Sequence, residues 1–313
     1  MNISVIITSH NEAKYISDAI ESVLNQNKEP DEIILVDAGS TDGTRSIIDS
    51  YEQKYQHAKS VYIPASINIP EMRNIALENV NCDLVTFLDG DDRFRPNKLK
   101  IEHQKYIKNP DVGIVYSNIR NIDSGGNSKD IWFNNSQPPT GKILAENASR
   151  DWPTRSLYRN ELISTNIIRK IGMYDENLTV YEDWDLKIRA AAETKVDYCQ
   201  EVLTEYRHHR DSISNRLNNE EKYNASQYIY NKNKPLIIDN LSSKRAMKTL
   251  QSMEEYIIEY SVRMNREERN YISMLLDYYS WLHKSEENKY NIGCHASLLL
   301  PNYIKSIYHK ISG

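Results

Sequence analysis

Short apolar runs alternate with helically spaced apolar positions through the first third of the chain. Residues 4–8 read as a buried strand, and residues 14–25 then place Ile16, Ala19, Ile20, Val23 and Leu24 on one helical face. The alternation repeats, predicting strands over 32–36, 60–63, 84–88 and 112–116. Helices are predicted over 44–55, 71–79 and 98–108, the last following Pro96. Strands and helices at this spacing predict an α/β fold built from βαβ units, with a twisted, mixed but mostly parallel sheet carrying helices on both faces. Ligands of such sheets bind outside the carboxyl ends of the strands. Asp37 and Asp89 stand at two of those ends, after Val36 and Leu88.

Residues 121–140, rich in Asn, Ser, Gly and Pro, predict a surface loop. A short helix over 166–170 stopped by Gly172, a helix from Trp184 to about Glu193, a strand near Glu205 and a turn at 210–211 follow. From about Arg216 charged and tyrosine-rich stretches take over, with helical spacing over 253–260 and 271–282. The expected organisation is a sheet domain over 1–215 and a helical region over 216–313.

Composition narrows the function. A chain of 313 residues with 39% hydrophobic and 27% charged residues can bury a core, and its net charge of −5 gives no basic surface for nucleic acid. Cys82, Cys199 and Cys294 are far apart and odd in number, which fits a reducing compartment rather than a disulfide framework. Neither a signal peptide nor an apolar span of transmembrane length is evident, so the expected location is cytoplasmic.

Asp89-Gly90-Asp91-Asp92 is the candidate chemistry: three carboxylates in four residues, at the tip of a buried-looking strand. Like charges this close repel. Two readings stand: a solvated acidic turn, or a seat for a divalent cation that bridges to substrate phosphates.

Six motifs then fall in order. They are Ser4-Val-Ile-Ile-Thr-Ser-His-Asn-Glu12, Val36-Asp-Ala-Gly-Ser-Thr-Asp-Gly-Thr44, Met72-Arg-Asn-Ile-Ala76, Phe87-Leu-Asp-Gly-Asp-Asp92, Glu182-Asp-Trp-Asp-Leu186 and Tyr206-Arg-His-His-Arg-Asp-Ser-Ile-Ser214. Together they resemble the family 2 glycosyltransferases of the GT-A fold, over about the first 215 residues. The resemblance implies a metal-dependent, inverting transfer from a nucleotide-diphosphate sugar, UDP first among nucleotides, to a saccharide or glycoconjugate hydroxyl. It implies that Thr8, Ser9, Glu12, Asp37, Arg73, Asp89, Gly90 and Arg207 hold the nucleotide sugar. It also implies that Asp91, His209 and Asp89 hold Mn²⁺ or Mg²⁺, and that Asp183, supported by Glu182, is the base. Where many relatives carry a second acid after Asp37, this chain has Ala38.

Plainer roles stand beside these. Thr8 and Ser9 could cap the following helix, Asp37 could belong to the 39–43 turn, Arg73 could be a surface charge, and Asp183 could cap its helix. Ser212 and Ser214 fall in the same loop as His209. Two rivals use other chemistry: a sugar-nucleotide pyrophosphorylase, disfavoured because residues 8–12 offer no glycine for a phosphate loop, and a degenerate, non-catalytic binding module. Near the end, Leu298, Leu299, Leu300, Tyr303, Ile304, Ile307, Tyr308 and Ile311 form an apolar face with Lys305, His309 and Lys310. It would pack on the chain's own core or on a second subunit, or rest weakly on the inner face of a membrane.

Overall fold

The computed structural model describes residues 1–134, 137–152, 156–209, 218–267 and Ser273. At its centre β1 (Ile3–Ser9) lies between two parallel neighbours, β2 (Glu32–Ala38) and β4 (Leu84–Asp89), and β3 (Ala58–Ile63) extends the sheet beyond β2. Alternate residues of these strands enter two cores. Ile6, Ile34 and Val36 face one side, whereas Val5, Ile7, Ile33 and Leu35 face the other. Apolar residues on both faces are what a sheet covered by helices on both sides requires.

On one side α1 (Ile16–Leu24), α2 (Thr44–Lys54) and α4 (Lys98–Lys108) contribute Ile16, Ala19, Ile20, Val23, Ile48 and Leu99. On the other, α3 (Ile69–Glu78), α5 (Leu144–Ser149), α6 (Thr165–Lys170) and α7 (Glu182–Glu193) contribute Met72, Ala76, Leu144, Ile168 and Trp184.

Past β4 the sheet changes character. β8 (Leu162–Ser164) is wedged antiparallel between β4 and β6 (Val112–Ile122). β9 (Lys195–Arg207) lies parallel to β6, then meets β5 (Arg93–Phe94) antiparallel. β7 (Ser128–Ile131) hairpins onto β6. Four strand pairings among the described residues are parallel and four antiparallel. The mixed, mostly parallel expectation is met, since the parallel pairings are the long ones and each antiparallel pairing is short. Three-residue β8 is too short to show a period in the sequence. The expected loop over 121–140 is corrected: β6 runs on to Ile122, and β7 lies within that stretch.

The helical expectation after residue 216 is met by α8 (Asn219–Asn240), opened by an Asn218–Glu221 capping box, and α9 (Ser243–Glu267). Ile229, Ile237 and Met253 are fully buried in the same core as Trp184. The 210–211 turn, Ser212, Ser214, all of 271–282 except Ser273, and the apolar face from Leu298 to Ile311 lie outside the described residues. No helix among the described residues is long and apolar enough to cross a membrane.

Candidate active site

Parallel register sets Ser9 beside Asp37 and Thr8 beside Asp89, so three strand ends share one crevice. Thr8 Oγ1 donates to Asp89 Oδ1 at 3.2 Å. Ser9 Oγ instead donates to the Val36 carbonyl at 2.9 Å, a bond that ties β1 to β2. Neither hydroxyl caps α1, whose start has no side-chain cap. Asp37 is buried. Its Oδ2 accepts the Ser40 amide at 3.2 Å, while Oδ1 has no hydrogen-bond partner among the described residues. An unmet buried acceptor costs about 1–3 kcal/mol, so this oxygen calls for a donor from outside. At Gly90 a Cβ would meet the Thr8 carbonyl at 3.1 Å, so the acidic tip of β4 closes on β1 only through glycine.

The β1–α1 connection is fixed from the next turn: the Glu12 amide donates to Thr44 Oγ1 at 2.8 Å and the Ala13 amide to Asp42 Oδ2 at 3.0 Å. β9 returns to the same corner. Arg207, only 2% exposed, donates its amide to Asp92 Oδ1 at 2.8 Å and its Nε to the Asp91 carbonyl at 2.7 Å. Two residues on, His209 Nε2 lies 2.7 Å from Asp91 Oδ2. His208 turns the other way, to Asn121 Oδ1 at 2.9 Å. Ligand atoms of Glu12, Asp91 and His209 all fall within 4.8 Å of one another. Asp89 is not in that group; it faces Thr8 and, at 3.5 Å, Arg73 Nη2. Burial, and then the neighbouring Asp89, push the Asp91 carboxyl above its ordinary range. Burial, Asp91 and Asp89 push buried Asp92 well above its own. His209 beside Asp91 and Arg159 near Asp92 do not outweigh that burial and crowding.

Across the crevice α7 begins after Tyr181, a residue with φ +62° and no side-chain cap. Asp183 therefore sits in the first turn of the helix and does not cap it. The Tyr181 hydroxyl is 2.8 Å from that of Tyr260 and 3.2 Å from that of Tyr256, both on α9, which holds the left-handed residue in place. Arg150 lies over the rings of Tyr181, Trp184 and Tyr256 at 5.0, 5.2 and 5.0 Å. Glu182 Oε1 accepts from Arg73 Nη1 at 2.6 Å, so Arg73 is a crevice charge and not a surface one. Asp183 Oδ2 lies 3.4 Å from Lys187 Nζ. Burial works against its ionisation, but Lys187, Arg159, Arg150 and Arg73 outweigh burial and hold the carboxyl well below its ordinary range. Here positive charge is in excess.

The family model for glycosyl transferase family 2 matches residues 4–166, more than half of the chain. The chain belongs to glycosyl transferase family 2. An uncharacterized glycosyltransferase of Rickettsia typhi is 30% identical over 71% of this chain and 69% of its own length. TuaG of Bacillus subtilis, assigned to teichuronic acid biosynthesis, is 41% identical over 31% of this chain, a match spanning 39% of TuaG. Among solved structures, residues 1–349 of S. aureus TarS superpose with a TM-score of 0.66 at 19% identity, covering 81% of this chain and 71% of that one. At that identity the likeness concerns the fold, which is GT-A-like.

In this family 2 transferase the sequence motifs converge on one crevice, with Glu12 beside the Asp91–His209 pair rather than apart from it. Residues outside those motifs complete it. Lys187 was legible, four positions after Asp183 on the same helical face. Arg150 and Arg159 were not, because Arg150 ends a helix of only six residues and Arg159 sits in the turn before three-residue β8, elements too short to show a period. Tyr256 and Tyr260 read as an ordinary apolar helix face.

Proposed function

We propose that the chain is a divalent-metal-dependent, inverting glycosyltransferase. It moves a sugar from a nucleoside-diphosphate sugar, with UDP as the favoured nucleotide, to an acceptor hydroxyl in cytoplasmic synthesis of a cell-surface polysaccharide or glycoconjugate. The carrying observation is the opposed charge of the two corners. Asp91 and Asp92, whose burial and crowding outweigh the nearby His209 and Arg159, stand opposite an acid ringed by cations at Asp183. A metal ion suits the first and a diphosphate the second, and a metal–diphosphate suits the gap between them. TarS, which shares the fold, has been captured with UDP-GlcNAc and with UDP, which supports the uridine assignment.

Glu12, Asp91 and His209 offer two oxygens and a nitrogen, a donor set that suits Mn²⁺ as well as Mg²⁺. A bound ion would offset charge on the diphosphate as the glycosidic bond breaks. Thr8, Asp89 and Gly90 line the donor side, and the unpartnered Oδ1 of Asp37 supports a role for this acid as acceptor for a nucleobase N–H. Arg73 fixes Glu182 and holds charge near Asp89, while Arg207 locks the β9 end to the acidic tip.

Asp183 takes the proton of the acceptor hydroxyl. That oxygen bonds to the anomeric carbon from the face opposite the diphosphate, whose oxygen leaves with the bonding pair in the same displacement. An arriving diphosphate offsets the cations around Asp183 and makes its carboxylate a better base, so donor binding precedes proton removal.

Titrating UDP, GDP and dTDP with Mn²⁺ by calorimetry tests this. Wild-type affinity should fall at least tenfold in EDTA, and Asp91→Ala should show the weakened affinity with or without Mn²⁺ while keeping its melting temperature. Undiminished affinity in EDTA would sink the metal-dependent reading.

A further inference from the structure

The turn just before β8 is held far more firmly than a three-residue strand needs. Asn160 adopts φ +53°, a conformation that residues with side chains rarely take. Its carbonyl accepts Thr86 Oγ1 at 3.0 Å and Lys98 Nζ at 2.6 Å, and its Nδ2 donates to the Phe87 carbonyl at 2.8 Å. Lys98 is itself fully buried, and both oxygens of fully buried Glu102 lie 2.7 Å from its Nζ. Strand β4 and helix α4 together thus dictate this unfavourable backbone. Strain maintained in this way is characteristic of functional sites.

What the turn presents is Arg159. Its guanidinium lies over the Tyr206 ring at 4.6 Å, at the end of β9 that carries Arg207 and leads on to His209. Tyr206 packs in turn against His208, with ring centroids 4.9 Å apart. Among the described residues Arg159 makes no hydrogen bond or ion pair, although Asp183, Asp89 and Asp92 lie within electrostatic reach. Three neighbouring cations already hold oxygen partners: Arg73 on Glu182, Lys187 on Asp183, and Arg207 on the Asp91 carbonyl. A guanidinium stacked on an aromatic face keeps its donor edge free for a planar pair of oxyanion contacts.

We propose that Arg159 is a binding residue for the β-phosphate of the donor, the group that departs with the nucleotide. The assignment rests on the nucleoside-diphosphate reading above and adds to it a residue outside the recognised motifs. Position selects the β-phosphate. Arg159 stacks on Tyr206, next to Arg207, which bonds Asp92 and the Asp91 carbonyl, and its turn is tied through Asn160 to Phe87, two residues before Asp89, so it stands beside the acidic tip where a metal-bound diphosphate would lie.

The test compares UDP with UMP, each titrated with Mn²⁺ into wild type, Arg159→Gln and Arg159→Lys. Arg159→Gln should weaken UDP at least tenfold and UMP less than twofold, and Arg159→Lys should fall between, keeping the charge but losing the fork. Should the Gln variant not fold, the Lys variant carries the same comparison with a smaller expected loss. UDP affinity within twofold of wild type would overturn the assignment, and so would equal losses on UDP and UMP. Wild-type protein that binds none of UDP, GDP or dTDP would overturn the nucleotide reading, and this assignment with it. Wild-type binding with an indifferent Arg159→Gln overturns the assignment alone.

Discussion

Asp91 and Asp183 are both carboxylates at the mouth of one crevice, yet their surroundings push them in opposite directions. Asp91 shares its corner with Asp89, Asp92 and Glu12, and burial with mutual repulsion drives its carboxyl toward the neutral form. Asp183 is held ionised by Lys187, Arg159, Arg150 and Arg73 in spite of burial. The first corner draws its acids from the ends of β1 and β4, whereas the second is assembled from α3, α5, α7 and the turn before β8. A site with an acid-rich end and a cation-rich end is complementary to a ligand of mixed charge, which a metal–diphosphate is. The contrast also separates the jobs of the two acids, since losing Asp91 should cost binding and losing Asp183 should cost chemistry.

The strongest way to break this comparison is Asp183→Asn. Transfer should fall by about 10²–10⁴-fold, the usual contribution of a positioned base, while UDP binding with Mn²⁺ stays within a few-fold of wild type. Turnover near the wild-type rate with a working acceptor would place the base elsewhere, with Glu182 the next candidate.

A second probe asks whether the cation-rich corner depends on the buried pair beneath it. Lys98→Met strands Glu102 and removes a donor to the Asn160 carbonyl, so urea denaturation should show a loss of about 3–5 kcal/mol. Replacing both partners by apolar residues of similar volume should cost much less. An equal cost for the single and the double variant would mean that the pair matters only by its volume.

The smallest effect concerns how α8 is fastened beside α7. Asp175 Oδ2 lies 2.6 Å from Lys232 Nζ and accepts the Tyr228 hydroxyl at 3.0 Å. Burial opposes its ionisation, but the Lys232 and Asn177 hydrogen bonds prevail and lower its carboxyl from 3.8 to about 2. A folded-state value below the unfolded one stabilises the protein above about pH 4, and that stability is lost as pH falls toward 2. The contribution is on the order of 2 kcal/mol. Denaturation midpoints at pH 5 and pH 2.5 should differ less for Asp175→Asn than for wild type, and an unchanged difference would remove Asp175 from the account.

Much of the acid-rich corner was legible in the sequence because each part is local. A buried strand followed at once by an acid puts that acid at a sheet end, so Asp37 and Asp89 could be placed from period alone. The roles of Thr8 and Ser9 could not be told apart that way. Adjacent residues of a strand point to opposite faces, and only the pairing shows that Thr8 meets Asp89 while Ser9 bonds to Val36.

By itself, the sequence determined the order of strands and helices through Tyr116 apart from two-residue β5, the helices α6 and α7, the helical character after residue 216, and the acids that end β2 and β4. These follow from hydrophobic period, charge spacing and motifs a few residues long. Tertiary structure alone decided that β8 enters antiparallel, that Asn160 aims Arg159 over Tyr206, and that two α9 tyrosines hold the left-handed residue before Glu182. The physical reason is the same in each case: these arrangements are hydrogen bonds and ring contacts between segments distant in sequence, closed only when the sheet has formed. A period records which face a residue occupies, not what lies opposite it.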